Sequence, residues 1–173
     1  MSLNSSGLTP TAASTAVSAA SGVWLRRVLL AVAAFETLIG LLDFYEFFDL
    51  HDAALSFGQF VINAQLFIHP FFAIAALVLA ARRYLRAAIV VLAAYILAAL
   101  AIGWPPDLFG LPLLARWVIF GPLAVTAIVL AILDKLLWWG AVFVALPSAT
   151  LFLGMIPLIL FAIAVIIHGG AAP

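Results

Sequence analysis

The sequence predicts an all-α, polytopic integral membrane bundle of about five transmembrane helices. Three observations carry that prediction. Hydrophobic residues make up 68% of the 173 residues and charged residues 8%, where a soluble domain has about 45–50% and about 25%. The mean hydropathy is +1.34. Apolar runs near ~20 residues, the length that crosses ~30 Å of hydrocarbon, follow one another with short breaks of Arg, Lys or Pro between them. Every backbone polar group in lipid must be satisfied internally. The short amphipathic alternation of a barrel strand is missing, so helices are expected.

Residues 1–23 (MSLNSSGLTPTAASTAVSAASGV) carry no charge and little that could bury a core. They read as a disordered polar tail, leaving 24–173 as the bundle. The first span follows Arg26–Arg27 and runs from about Val28 to Phe48. The second runs from Phe57 to Ala81 and stops at Arg82, Arg83 and Arg86. The third runs from Ala87 to Trp104, where Pro105–Pro106 ends it because proline cannot continue the hydrogen-bond ladder. Leu108 to Leu114 reads as a short apolar re-entry. The fourth span runs from Leu113 to Leu133, with a bend expected at Gly121–Pro122. The preferred reading of the remainder is an interfacial helix, Leu136 to Leu146, carrying Trp138 and Trp139 at headgroup level. A fifth span then begins at Pro147–Ser148 and ends at His168. One long helix bent at Pro147 and Pro157 is the alternative.

Orientation follows from the cations. Five spans put Arg26, Arg27, Arg82, Arg83, Arg86 and Lys135 on one side and only Arg116 on the other. The positive-inside rule then predicts a cell (inner) membrane protein with its N-terminus cytoplasmic and its C-terminus outside. The formal net charge of +0 and the placement of cations at helix ends argue against nucleic acid. The absence of cysteine excludes disulfides and thiolate chemistry.

The acids are unevenly spread. Five of the seven (Glu36, Asp43, Glu46, Asp49 and Asp52) fall between residues 35 and 52. Asp49 and Asp52 read as the solvated lip of the first span, with Asp43 and Glu46 close enough to reach water. Glu36 lies roughly 13 Å in from Arg27 at 1.5 Å per residue. An ionisable group at that depth is costly and points to function.

A short connection makes the first two spans antiparallel. That register sets Glu36 against His69, Glu46 against Gln59, and Asp43 against Ile62 and Asn63. Glu36, Asp43 and Glu46 share an arc of roughly 80° at 100° per residue. Gln59, Asn63, Gln65 and His69 give the second span its own polar side, so the two sides should face each other or a shared cavity. Depth alone adds Thr37, Tyr95 and Thr126 to the same layer.

Such a pocket suits a proton, an ion or a small amphiphile. A Glu–His pair can relay protons. The neighbouring Phe44, Phe47, Phe48, Phe60, Phe67, Phe71 and Phe72 could stack a quinone or a lipid, with His69 as hydrogen-bond donor. Asp49, His51, Asp52 and His168 are weak metal candidates by ligand type. Haem is disfavoured, because only His69 lies mid-span.

The plainer reading makes the polar sides helix glue in a structural or assembly subunit. Small-residue faces at Ala76 and Ala80, and at Ala94 and Ala98, suit self-association or other membrane subunits as well as internal packing. The hydrolase and phosphate-binding patterns GxSxG, HExxH and the P-loop are absent. An enzyme reading is therefore confined to a membrane-embedded lipid-modifying activity, ranked behind both.

Overall fold

The computed structural model describes residues 12–49, 57–102 and 112–167. Among them lie five helices and no strand: α1 (Ala12–Asp49), α2 (Phe57–Ala81), α3 (Leu85–Ile102), α4 (Leu113–Ile132) and α5 (Leu137–Ile167). Four helical stretches are long and apolar enough to cross a membrane: Gly22–Tyr45, Leu85–Ile102, Leu113–Ile132 and Leu137–Ile167. Within α2, Leu66–Ala81 forms a shorter apolar stretch. The chain is thus an all-α helical bundle, as the composition and the run lengths predict.

Two boundaries differ from the sequence reading. α1 begins at Ala12, inside the stretch read as an unstructured tail. That stretch is rich in alanine and has no proline after Pro10, which favours helix over it. Of the apolar re-entry read over 108–114, residues 108–111 lie outside the described residues, and α4 begins at Leu113, the start expected for the fourth span. The preferred division of the last segment is wrong: Leu137–Ile167 is one helix of 31 residues with Pro147 and Pro157 inside it. Proline removes one ladder bond, but in a membrane helix neighbouring groups compensate. Thr150 Oγ1 donates to the Pro147 carbonyl at 2.7 Å.

Successive helices pack side by side, and α1 also packs on α3 and α5, closing the bundle. The α1–α2 contact is the most extensive. Its antiparallel register is marked at one end by Arg26 Nη2 donating to the Ala81 carbonyl at 3.0 Å. At that same basic end two tight turns close the α2–α3 and α4–α5 corners. In each, a non-glycine residue takes the left-handed conformation just past the helix: Arg83 (φ 68) and Asp134 (φ 54). Bonds from Arg83 N to Ala80 O (3.2 Å) and Tyr84 N to Leu79 O (2.9 Å) satisfy the last carbonyls of α2. Asp134 N to Ala131 O (3.4 Å) and Lys135 N to Leu130 O (3.1 Å) do the same for α4. Arg86 pairs with Asp134 across the two corners at 3.2 Å, exposed on both sides.

The half of the bundle toward this basic end has a core of small residues. Ala33, Ala76, Ala80, Ala88, Ala127 and Ala141 are buried together with Leu29 and Ile89. Small side chains let backbones approach, which is what drives helix association where the solvent is itself apolar. Ala76 and Ala80 belong to this seam as expected, whereas Ala94 and Ala98 are half-buried.

Candidate functional site

Along α1 the buried positions are Leu25, Leu29, Ala33, Glu36, Gly40 and Asp43. The spacing of three and four residues makes them one stripe of a helix. On α2 the matching stripe is Leu66, His69, Ala73, Ala76 and Ala80. The charged groups therefore do not oppose the apolar face; they continue it. Any packing that buries Leu29 and Ala76 also carries Glu36 and His69 into the interior.

At their meeting point His69, only 1% exposed, is held between two carboxylates. Its Nε2 lies 3.0 Å from Glu36 Oε2 and its Nδ1 lies 2.5 Å from Asp43 Oδ2. Ser148 Oγ, from α5, donates to the other oxygen of Glu36. The Tyr95 ring of α3 stacks on the imidazole, with centroids 4.3 Å apart and planes 11° apart. Three helices thus fix the plane and the partners of one imidazole.

Two local features set this geometry. Gly40 sits between Glu36 and Asp43 on the stripe, and a Cβ there would come within 2.9 Å of Pro70 Cα and N. Only glycine permits this approach of α1 to α2, beside His69. The second feature is side-chain direction. Asp43 was expected opposite Ile62 and Asn63, yet it reaches His69. Helical side chains lean toward their own N-terminus, so Asp43 bends back toward Glu36 and closes on the ring from above.

Beside the array lies a cavity lined from all five helices, including Glu36, His69, Tyr95, Arg116, Phe120 and Pro147. It offers ≈ 90 Å³ to the centres of water-sized molecules. That is room for several waters or a small organic group, since one water needs roughly 10–15 Å³ by the same measure. Its walls are mostly apolar, with Ile39, Ile96, Leu100 and Leu151 among them.

Arg116 was read only as the lone cation at the far end of the bundle. It is 6% exposed and faces this cavity. A signal for it existed: Arg116, Phe120, Ala124, Ala127 and Ala131 form one stripe at three- and four-residue spacing. That stripe also explains why Thr126, placed in the layer by depth, is exposed instead. Ser148 carried no such signal, since its partner lies 112 positions away in the chain.

Of the other predicted site residues, Tyr95 joins the array, and Thr37 bonds its own helix at Ala33 O, 2.7 Å away. The side chains of Glu46, Asp49, Gln59, Asn63 and Gln65 lie outside the described residues, as do His51, Asp52 and His168 entirely. Phe44, Phe67 and Phe71 cluster with centroids 5.4–6.3 Å apart. Phe67 and Phe71 are exposed, and none of the three lines the cavity. His69 is also not the free donor that a stacked quinone would need, because both ring nitrogens are engaged. Among the described residues no group of three His, Asp or Glu is arranged to hold a metal ion. The two imidazole nitrogens point to separate carboxylates rather than converging.

The array has a defined proton count. Two nitrogen–oxygen contacts need two protons, whichever atoms hold them. An imidazolium between two carboxylates carries a net charge of −1. So does a neutral imidazole between one carboxylic acid and one carboxylate. A proton leaving Asp43 for Nδ1 while another passes from Nε2 to Glu36 moves charge across the array without changing that total. Arg116 lines the same cavity as Glu36 and His69.

No family model matches this chain, and neither a curated protein nor a solved structure does.

Proposed function

We propose that this chain is a multi-pass protein of a cell (inner) membrane, N-terminus cytoplasmic and C-terminus outside, whose central pocket binds a small amphiphile and exchanges a proton with it. The observation that carries this reading is His69 clamped between Glu36 and Asp43 at the wall of a largely apolar cavity that also holds Arg116. An apolar pocket with a few convergent polar groups is the usual form of a small-molecule site. Ionisable groups inside a membrane bundle are costly unless used.

The direction of proton access follows from packing. Asp43 and Arg116 lie toward the outer end of the proposed threading. The inner half is packed with alanine, and the buried polar residues among those described are Glu36, Asp43, His69, Arg116 and Ser148. Among the described residues of that inner half, no buried polar side chain continues the chain of donors. The array therefore acts as a proton-exchanging binding site open to the outer side, not as a wire across the membrane.

The test is purification in a mild detergent with mass-spectrometric identification of retained small molecules, for the wild type and for Glu36→Gln. A stoichiometric amphiphile in the wild type, lost from a folded Glu36→Gln protein, is the expected result. An empty wild type, or equal retention by both, refutes the reading. A second reading is favoured by the Gly40–Pro70 approach and the fully engaged imidazole: the array is glue that sets helix register. Under it Glu36→Gln yields misfolded protein rather than a folded, empty one.

A further inference from the structure

A second site lies at the basic end, away from the central pocket. An open groove of ≈ 470 Å³ runs between the start of the buried part of α1 and the α2–α3 corner. Arg26, Arg27 and Arg83 line it together with Val23, Leu30 and Leu85. Arg26 is held by its bond to the Ala81 carbonyl, and Arg83 by the tight turn that puts its backbone in the left-handed region. Arg27 lies over the Trp24 ring, 5.4 Å from its centroid.

No protein carboxylate balances these three cations among the described residues. Asp134, the acid of this end, pairs with Arg86 instead. The sequence adds none just before the groove, since residues 1–25 contain no acid. An anion from outside the chain can therefore pair with them.

We propose that this groove binds an anionic phospholipid. Its phosphate sits among Arg26, Arg27 and Arg83, and its glycerol–acyl junction lies on Val23, Leu30 and Leu85. Guanidinium groups bind phosphate through paired N–H donors. Basic pockets between helices on the cytoplasmic side are suited to anionic headgroups. Two observations favour a lipid over a soluble phosphate. The cations share the groove with apolar side chains, and exposed Trp24 places it at headgroup depth. The site is independent of the central pocket, since none of its lining residues touches that cavity.

The experiment is native mass spectrometry of the full chain released from vesicles of phosphatidylglycerol and phosphatidylcholine. The wild type should retain phosphatidylglycerol in preference. Arg27→Gln/Arg83→Gln, which touches no protein acceptor, should weaken that retention about thirtyfold, at roughly one surface cation's worth of attraction per arginine. Arg26→Gln should weaken it too, and the double variant keeps the test open if that protein fails to fold. Arg86→Gln removes one charge outside the groove, as many as Arg26→Gln removes inside it, and should change retention little. Equal loss with Arg86→Gln, or no preference over phosphatidylcholine, overturns the site. Displacement of phosphatidylglycerol by excess soluble glycerol phosphate would make it a phosphate site and overturn the lipid assignment.

Discussion

His69 concentrates the chemistry of this protein in one ring. Both nitrogens are engaged, one face is covered by Tyr95, and the side chain is 1% exposed. Removing it leaves two carboxylates facing each other in an apolar interior. Losing one partner of a buried charged array costs about 3–5 kcal/mol, mostly as the penalty of the charges left behind. His69→Ala should therefore lower thermal stability in detergent by that order. His69→Ala combined with Glu36→Gln and Asp43→Asn should recover part of it, because the stranded charges are gone. If the triple variant melts no higher than His69→Ala, the array is not an electrostatic unit.

At the scale of the element, the site depends on how near α1 comes to α2, which Gly40 decides. A methyl at that position meets the backbone of Pro70 at 2.9 Å, and backbone cannot rotate away as a side chain can. Gly40→Ala should cost about 1–3 kcal/mol, the range for an overpacked interior. It should also separate Glu36 and Asp43 from His69 without altering any of the three. The same measurement of retained small molecules applies: loss of the ligand in a folded Gly40→Ala protein ties the pocket to the interhelical distance, and unaltered stability would show that the helices slide freely here. α5 teaches a related lesson about elements. Two prolines and a tryptophan pair suggested a break, yet the helix continues, because a chain in lipid gains more by keeping its ladder than proline takes from it.

For the whole molecule, the distribution of charge sets the proposed threading, and the distribution of small residues sets where water and ligands can go. Six cations lie at one end, above an alanine-packed half, and the cavity opens in the other half. The natural absence of cysteine makes the threading simple to test, since a single introduced thiol is the only one present. A cysteine at Ser5 should react with membrane-impermeant maleimide only after lysis, and one at Ala172 should react in intact cells. The reverse pattern would invert the proposed threading and place the pocket toward the cytoplasm.

Composition and run length were enough for the helical bundle, because hydrocarbon admits few backbone solutions and the bilayer's thickness dictates length. The opposition of Glu36 and His69 was legible to within about one helical turn: a short connection makes the two spans antiparallel, and the arginines at the basic end mark the depth from which each is counted. Arg116 left a partial trace in its stripe of small residues, and Ser148 left none. Neither could be placed without tertiary structure, because the rotation of α4 and α5 about their own axes follows from packing against helices distant in the chain. The same holds for Thr126, which depth places in the polar layer and rotation turns outward. Depth in a membrane can be counted along a sequence at a fixed rise per residue; the direction a side chain faces is decided only when all the helices have packed.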